Sequence, residues 1–379
     1  MHYDVAVVGL GGMGSAVLAR CAARGAKVVG LEQFEPAHEM GSSSGKSRMI
    51  RKAYFEDPAY VPLLLRAYDL WRKLERDSGA ELLTITGLLM VGQEDAPIVA
   101  GARRAAHEHQ LAIEVLEQRQ IRARYPTLQL LPNEIGVFEP DGGVLVPERA
   151  IEAHLRMAIE ADAHVRFGTA VTHWEAKGEG SEIRLDDDSS ISARALILTK
   201  GPWFKDALGI PLRIQRNIQA WFAPATGAYA SDRFPPFLIE RENFPAPLYG
   251  FPDFGDGVKA AFHAHGELTD AKHLDREIDR ARDIEPIVTA MAQWMPGATA
   301  TLRAAKACPY TLTPDGHFVV DRHPEYARVI LCGGFSGHGF KFAPVIGEIA
   351  ADLALDGGSR HCIDFLSHRR FQGRPLAKD

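Results

Sequence analysis

The stretch Tyr3–Gly14, YDVAVVGLGGMG, decides the fold class. Its first six residues, Tyr3–Val8, form an apolar run typical of a buried strand, and Met13–Arg24 then carries apolar residues at helical spacing until Gly25. A second apolar run, Lys27–Leu31, completes a strand–helix–strand unit. The sequence therefore predicts two parallel strands joined by a crossover helix at the start of the chain.

The turn between the first strand and the helix carries a G-x-G-x-x-G motif at Gly9, Gly11 and Gly14. In this motif the first glycine permits a tight turn, the second lets the backbone approach a pyrophosphate, and the third allows close packing of helix and strand. Glu32 ends the second strand, where a carboxylate accepts hydrogen bonds from a ribose diol. This pattern predicts FAD or NAD rather than NADP, and it does not choose between a flavin and a nicotinamide.

Composition excludes several classes of protein. The 379 residues include 43 Lys and Arg against 49 Asp and Glu, a formal charge of -6, and no long basic run suggests a nucleic-acid partner. No apolar run approaches the roughly 20 residues that span a membrane, and the amino terminus lacks the pattern of a secretory signal. We therefore expect a soluble cytoplasmic protein. Neither a metal site nor disulfides are expected, because the cysteines are far apart: Cys21, Cys308, Cys332 and Cys362.

The order of apolar patterns predicts two interleaved domains. Alternating strands and helices indicate an α/β domain of Rossmann type, formed by residues 1–85, 146–213 and 315–379. Strands with Pro-rich turns indicate a second, α+β domain on a mainly antiparallel sheet, formed by residues 86–145 and 214–314. We also predict a charged helix over Leu274–Ala292 and a helix over Pro344–Leu355 that follows a glycine-rich loop.

Beyond the first motif, four segments carry distinctive residues: Gly41–Arg51 (GSSSGKSRMIR), Tyr249–Pro252 (YGFP), Ala307–Tyr310 (ACPY) and Gly334–Phe342 (GFSGHGFKF). Together, in this order and spacing, the segments resemble the monomeric sarcosine oxidase and N-methyltryptophan oxidase family of flavin amine oxidases. The resemblance covers essentially the whole chain. It implies that the first domain binds FAD and that the protein oxidises a small secondary amino acid with dioxygen, releasing hydrogen peroxide.

The resemblance also implies how the cofactor is held. Cys308 matches the cysteine whose sulfur bears the flavin through its 8α carbon, and a thiolate is the nucleophile that such an attachment needs. On residue type alone, a buried core thiol is the commoner role for a cysteine such as Cys308. The full set of implied cofactor contacts is Gly9, Gly11, Gly14, Glu32, Ser42, Arg48, Val171, Cys308, Gly334, Gly337, Gly339 and Lys341.

Two further residues match positions that act on oxygen and amine. Lys259 matches the lysine placed over the flavin, where an ammonium favours the negative charge that develops on dioxygen. His263 matches a histidine on the amine side of the site. Strand-like alternation from Gly257 to His263 puts both side chains on one face. A solvated lysine and a core histidine are the alternatives for these two residues.

The remaining matches concern the substrate. Arg51 and Lys341 match two cations that clamp its carboxylate, and Arg48 matches a cation near the flavin ring. Tyr249 and Tyr310 match aromatic residues of the substrate cavity, where a ring excludes water and can face the amine. The predicted catalytic set is Lys259, His263, Arg48, Tyr249 and Tyr310, and the predicted substrate-binding set is Arg51, Lys341, Tyr249 and His263.

The chain departs from the family at a few positions. Ser43 and Ser44 stand where the family usually carries histidines, Lys46 stands where an acid is common, and Lys200 adds a charge before Gly201. A bulkier N-methyl amino acid or a cyclic imino acid such as pipecolate or proline remains open as substrate. A dehydrogenase with another electron acceptor and a non-catalytic dinucleotide-binding protein are the remaining alternatives. We expect a monomer.

Overall fold

The computed structural model describes residues 2–204 and 210–371. Its strands are β1 (His2–Val8), β2 (Val28–Leu31), β3 (Arg48–Ile50), β4 (Leu83–Ile85), β5 (Leu88–Gln93), β6 (Glu114–Leu116), β7 (Glu134–Glu139), β8 (Gly143–Leu145), β9 (His164–Arg166), β10 (Val171–Lys177), β11 (Gly180–Leu185), β12 (Ser190–Leu198), β13 (Arg213–Ala223), β14 (Phe237–Ile239), β15 (Leu248–Phe251), β16 (Val258–Phe262), β17 (Leu268–Thr269), β18 (Thr301–Leu312), β19 (Val319–Arg322) and β20 (Val329–Gly333). Its α-helices are α1 (Gly12–Ala23), α2 (Val61–Ser78), α3 (Pro97–His109), α4 (Gln118–Arg124), α5 (Pro147–Glu160), α6 (Glu285–Trp294) and α7 (Ala343–Leu355).

The first sheet has a parallel centre in the order β9-β2-β1-β12. The two halves of β12 pair differently on its outer edge, because β11 runs antiparallel along the first half and β20 runs parallel along the second. The strands β10 and β19 complete the two branches. Since β1, α1 and β2 form the expected strand–helix–strand unit, the predicted Rossmann-like α/β architecture is confirmed.

Both faces of this sheet are buried, which explains why β1 reads as a continuous apolar run. Val5 and Val7 face a core that includes α1, α2, α5 and α7. Ala6 and Val8 face the opposite core, to which the β10–β11 hairpin contributes Ile183. Successive side chains of a strand point to opposite faces, so a strand covered on both sides needs apolar residues at every position.

The second sheet has the order β17-β13-β16-β15-β14-β5-β7-β6, with β18 along the other edge of β13. Its pairings are antiparallel except for β14 with β5, as the sequence predicts for this part of the chain. Helix α3 covers one face and α6 packs in the core of the other. A small sheet in the order β3-β8-β4 also forms and carries Arg48 on β3.

The charged helix predicted over Leu274–Ala292 is wrong in its first part. A π-helical turn spans Arg280–Ile284, and α6 begins only at Glu285. The preceding backbone is held open by the buried Arg216, whose guanidinium donates to the carbonyls of Asp275 and Glu277. Those carbonyls would be occupied by hydrogen bonds of the helix itself if the helix began earlier.

Within the described residues, no helix combines the length and apolarity needed to cross a bilayer. The predicted limits of the two domains stay a prediction.

Candidate active site

A cavity lies where the carboxyl ends of the first sheet face the second sheet. Its wall includes Val8, Leu31 and Thr199, at or next to the ends of β1, β2 and β12, and it extends to Tyr249 and His263 of the second sheet. Ligands of open α/β sheets bind at this edge, outside the carboxyl ends of the strands. The cavity therefore joins the dinucleotide motif to residues of the second sheet.

The glycine turn fits a dinucleotide. Gly9 has φ of +89°, and a Cβ at Gly14 would lie 1.8 Å from the Gly9 carbonyl oxygen, so both positions need glycine. A Cβ at Gly11 would contact only Ser43 Oγ, at 3.9 Å, which leaves this backbone open to the cavity. The N-cap residue of α1 is Gly11, which has no side chain to cap the helix, and the Gly12 amide donates to Ser43 Oγ. The other amide groups of this first turn can serve an anion such as a pyrophosphate.

Glu32 is buried at the same end of the cavity. Its carboxylate accepts hydrogen bonds from the amides of Leu10, at 2.7 Å, and Phe34, at 3.1 Å. Burial opposes its charge, but the neighbouring His38 and these amides outweigh burial and lower the pKa of Glu32 below its usual value. The carboxylate is therefore ionised and fixed at the wall, as an acceptor for ribose hydroxyls must be.

The loop of residues 41–47 is organised around Arg48. The guanidinium of Arg48 donates to the carbonyls of Ser42, Ser44 and Ser47, at 2.5 to 2.8 Å. Ser43, one of the departures from the family, accepts a hydrogen bond from the Gly12 amide at 3.2 Å. The short side chain of Ser43 thus joins this loop to the first turn of α1.

Lys46 and Lys200, the two unexpected cations, lie in different places. Lys46 forms an exposed ion pair with Asp256 and does not line the cavity. Lys200 lies on the cavity wall, near Gly201 and Trp203. Only Lys200 therefore adds a charge where a ligand would bind.

Lys259 is almost completely buried, with 1% of its surface exposed, on β16. Its ammonium donates to Gly45 O at 2.8 Å and to Ser47 O at 3.1 Å, and it lies 5.2 Å from the centre of the Trp221 ring. Burial, with the nearby Arg48, lowers the pKa of Lys259 well below its usual value. The side chain thus lies behind the loop rather than on the cavity wall.

Cys308 is also buried, next to the wall rather than on it. Its Sγ lies 3.9 Å from Ser42 O, and the following residue, Pro309, lines the cavity. The Ser42 hydroxyl donates to Pro309 O at 2.7 Å, which ties the loop to β18. Because this loop and β18 meet here, the thiol lies one residue away from the cavity lining.

Two buried cations, Arg51 and Lys341, line the far part of the cavity. The Nη2 of Arg51 donates to both carboxylate oxygens of Glu56, at 2.7 and 2.8 Å, whereas its Nη1 is buried without a hydrogen-bond partner among the described residues. Lys341 Nζ donates to His338 O at 2.6 Å. An unpaired guanidinium nitrogen in a cavity is suited to one oxygen of a carboxylate ligand.

The charges of this cluster depend on one another. Burial alone would raise the pKa of Glu56, but Arg51 and then His338 and Lys341 lower it to about 2. Burial disfavours the charge of Arg51, yet Glu56 keeps its pKa above the usual value. Burial, with Arg51, lowers the pKa of Lys341 to about 7. The cluster therefore carries a fixed cation, a fixed anion and a cation that titrates near neutrality.

Aromatic and imidazole rings form the surroundings of the cation pair. The His263 ring lies 5.8 Å from that of Tyr310 and 6.4 Å from those of Tyr249 and His338. Burial lowers the pKa of His263 to about 4 and that of His338 to about 3, so both rings are neutral near pH 7. These rings supply polar contacts without adding charge.

The glycine-rich loop before α7 approaches Tyr310 closely. A Cβ at Gly337 would lie 2.1 Å from the Tyr310 ring, and Gly337 has φ of +80°. Gly334 and Gly339 line the cavity as well, as does Val171 from β10. Glycine at position 337 is therefore what lets the loop pack against the ring.

Most of the predicted site residues come together around this one cavity. The exceptions are Gly14, which packs α1 on β1, and Lys259 and Cys308, which lie just behind the wall. The sequence reasoning missed Glu56 and His338, although His338 stands inside a quoted motif. It also missed three apolar wall residues: Met49, Phe55 and Leu238.

Comparison with known proteins decides the family. A family model described as FAD dependent oxidoreductase matches residues 4–353. The chain belongs to the FAD-dependent oxidoreductase family. Within this family it is 40% identical to the monomeric sarcosine oxidase of Streptomyces avermitilis, over 98% of this chain and 99% of that protein. It is 34% identical to the N-methyl-L-tryptophan oxidase of Yersinia pestis, over 98% of this chain and 100% of that protein.

Solved structures of lower sequence identity share the fold of the chain. NikD, described as an unusual amino acid oxidase essential for nikkomycin biosynthesis, superposes with a TM-score of 0.86 at 24% identity, over 97% of both chains. L-proline dehydrogenase from P. horikoshii superposes with a TM-score of 0.84 at 19% identity, over 97% of both chains. The family model and the curated relatives confirm the dependence on FAD and the family resemblance predicted from the sequence.

Proposed function

We propose that the protein is an FAD-dependent oxidase of a small secondary amino acid such as sarcosine. The observation that carries this proposal is the buried pair Arg51 and Lys341 on the cavity that also contains the dinucleotide motif. When bound, FAD would supply the redox chemistry, which is two-electron oxidation of the carbon beside the amine nitrogen with dioxygen as the final acceptor and hydrogen peroxide as the product. The resulting imine hydrolyses, which for sarcosine gives glycine and formaldehyde.

The cation pair holds the substrate by its carboxylate. Arg51 Nη1 has no partner among the described residues, and Lys341 adds a second cationic donor, so the two can bind both carboxylate oxygens. Holding a substrate at one end fixes the position of the carbon that reacts at the other end. The clamp therefore orients the N-methyl group as well as binding the substrate.

The cavity favours the neutral form of the amine. Among the described residues that line it, the acids are Glu32, at the dinucleotide end, and Glu56, which pairs with Arg51. The rings of His263 and His338 are uncharged near pH 7. A protonated amine thus finds cations and neutral rings rather than a free carboxylate. We therefore assign no protein base, because binding the neutral amine is sufficient.

The names of the relatives support a secondary amino acid as the class of substrate and leave the size of the substrate open. Relatives at 36–40% identity are called monomeric sarcosine oxidase, and others at 34% are called N-methyl-L-tryptophan oxidase. The names of the first group also support a monomer, and we keep the cytoplasm as the proposed location. A bulkier N-methyl amino acid is the second candidate, because Met49, a flexible side chain that can adapt to different ligands, lines the cavity.

A panel of amines tests the proposed function. The purified protein is incubated in air with sarcosine, N-methyltryptophan, pipecolate, proline and dimethylamine, and released hydrogen peroxide is measured. We expect peroxide with at least one secondary amino acid and little with dimethylamine, which lacks the carboxylate. Peroxide production that does not depend on a carboxylate would contradict the proposed clamp, and none with any amine would contradict the function.

We also propose that the flavin is attached through Cys308, as the resemblance implies. The burial of this thiol beside the cavity lining supports the proposal. Protein precipitated with acid should keep its yellow colour, and its intact mass should exceed that of the polypeptide by one FAD less the two hydrogens lost when the thioether forms. In Cys308→Ser the colour should pass into the supernatant, whereas Cys332→Ser, which changes another buried thiol, should retain it. If the unmodified protein and Cys308→Ser lose their colour to the same extent on precipitation, this attachment is excluded.

Binding of a carboxylate should weaken as the pH rises through about 7. Burial, with Arg51, lowers the pKa of Lys341 to about 7, so its ammonium is present below that pH and is lost above it. The probe is methoxyacetate, in which an ether oxygen replaces the amine nitrogen of sarcosine and removes its titration. Its dissociation constant, measured by calorimetry, should rise roughly tenfold between about pH 6 and pH 9.

Lys341→Met is the control for this pH dependence. Its affinity for methoxyacetate should already be weak at low pH and should stay nearly constant, since Arg51 remains charged throughout. A pH-independent affinity in the unmodified protein would show that Lys341 is not the titrating clamp residue.

A further inference from the structure

One peptide group lies between Lys259 and the carboxylate of Glu148, a residue that has no role in the proposed function. The ammonium of Lys259 donates to the Gly45 carbonyl at 2.8 Å. The N–H of the same peptide group, which belongs to Lys46, donates to Glu148 Oε1 at 3.0 Å. Glu148 and Lys259 are thus joined in a line through the peptide that connects Gly45 to Lys46.

The backbone of the loop is shaped to make this connection. Gly45 and Lys46 have φ values of +110° and +62°, and their successive N–H groups both donate to Glu148 Oε1. Successive amides in such a conformation form a concave site for an anion. A Cβ at Gly45 would lie 2.2 Å from Gln219 Oε1, so this position needs glycine.

Glu148 is itself fixed by its place in the fold. It lies in the first turn of α5 (Pro147–Glu160), where the helix dipole favours a negative charge. A carboxylate that accepts hydrogen bonds from a peptide group also polarises that group and strengthens its carbonyl as an acceptor. The effect of Glu148 on Lys259 is therefore both geometric and electrostatic.

Several charged groups face the Lys259 ammonium from the elements around it. Burial, Arg48 on β3 and Lys306 on β18 disfavour its charge, whereas Glu148 on α5 favours it, and Cys308 on β18 does so only as a free thiolate without attached flavin. A buried lysine with no negative group nearby would lose its proton easily. A neutral amine cannot stabilise negative charge on dioxygen.

We propose that Glu148 is a positioning residue for the oxygen reaction, which acts through the Gly45–Lys46 peptide to hold Lys259 in place and keep it protonated. This inference rests on the proposed function together with the role that the resemblance implies for Lys259, which is to assist the transfer of electrons to dioxygen. No bond forms or breaks at Glu148, which contributes a fixed charge and an acceptor.

Glu148→Gln separates the charge from the hydrogen bonds. Glutamine keeps an acceptor oxygen for both loop amides but removes the negative charge. Glu152→Gln is the matched control, because Glu152 lies one turn further along the same helix and is exposed. In Glu148→Asp the charge is kept on a shorter side chain, so this variant should behave more like the unmodified protein than Glu148→Gln does.

The first readout is independent of turnover. The lysines are labelled with 13C at Cε, and the Lys259 signal, assigned by its absence in Lys259→Met, is followed by NMR as a function of pH. Glu148→Gln should move the titration midpoint of Lys259 down by roughly one pH unit, and Glu152→Gln should not move it. If Glu148→Gln is purified without flavin, its titration is compared with that of the unmodified protein in its flavin-free form.

The second readout is the rate at which the reduced protein reacts with dioxygen. Above the Lys259 midpoint, Glu148→Gln should lower this rate up to about tenfold, while anaerobic reduction by the amine is unchanged. In the Lys259→Met background, Glu148→Gln should have no further effect.

The outcomes distinguish this inference from the proposed function. If Lys259→Met leaves the oxygen reaction unchanged, the role that the resemblance implies for Lys259 fails, and the role of Glu148 in that reaction fails with it, whereas the proposed amine oxidation still stands. If Lys259→Met slows that reaction but Glu148→Gln shifts neither the titration of Lys259 nor the pH profile, the role of Glu148 is overturned.

Discussion

A Lys259→Met variant is expected to react with dioxygen roughly 10²–10³-fold more slowly once its flavin is reduced, while anaerobic reduction by the amine changes little. The physical reason is the position of the ammonium, which is buried and held by the loop carbonyls of Gly45 and Ser47. A fixed positive charge in a medium of low dielectric stabilises negative charge on dioxygen more strongly than it would in water. Methionine has a similar length and removes only the charge and its hydrogen bonds.

The two half-reactions are measured separately by stopped flow, first with amine in the absence of oxygen and then by mixing the reduced protein with aerated buffer. Lys306→Met is the matched control, since Lys306 is a nearby cation on β18 that pairs with Glu39 at the surface. At a pH below the titration midpoint of Lys259, where loss of the Lys306 charge cannot change its protonation, the control should react with dioxygen at the unmodified rate. Equal losses in both half-reactions of Lys259→Met would refute the role in oxygen reduction.

An Arg51→Met variant is expected to lose roughly 10²–10³-fold in kcat/KM for its amino acid substrate, because removal of one partner of a buried charge pair costs about 2–5 kcal/mol. The substitution removes the unpaired Nη1 that can bind a carboxylate oxygen. It also leaves Glu56 buried beside Lys341 without its main partner, so a second carboxylate would meet repulsion.

Steady-state rates with an amino acid and with the same amine lacking the carboxylate isolate this effect. Arg51→Met should slow only the first of these reactions, and the exposed Arg104→Met should slow neither. Equal losses with both substrates would point to damage of the fold or of FAD binding and would count against the clamp.

The nucleotide-binding unit could be predicted from the sequence almost to the residue. The run Tyr3–Val8 is predicted as a strand and β1 spans His2–Val8, while the helix predicted over Met13–Arg24 is α1, Gly12–Ala23. Such accuracy is possible because the apolar pattern, the glycine turn and the helix stop are all local signals that agree.

The features that the sequence did not give depend on contacts between distant segments. The start of α6 is delayed by Arg216, which lies about 60 residues earlier in the chain and binds the backbone at Asp275 and Glu277. Glu56 follows Arg51 by five residues, a spacing that no helix or strand periodicity marks as a contact.

Lys259 shows the same limit at a predicted site residue. The alternation from Gly257 to His263 predicts that Lys259 and His263 lie on one face of a strand, but β16 ends at Phe262, just before His263. The loop of residues 41–47 then covers the lysine, while His263 lines the cavity. The path of another segment, here the loop of residues 41–47, determines which of two residues on one face reaches the cavity. The roles of the site residues remain predictions.

The most direct test of the central claim is anaerobic mixing of the purified flavoprotein with sarcosine and with larger N-methyl amino acids, while its visible absorbance is recorded. We expect the yellow flavin bands to bleach with at least one of them and to return when air is admitted, with hydrogen peroxide formed. A flavin spectrum that stays oxidised with every secondary amino acid, in protein that retains its cofactor, would contradict an amine oxidase.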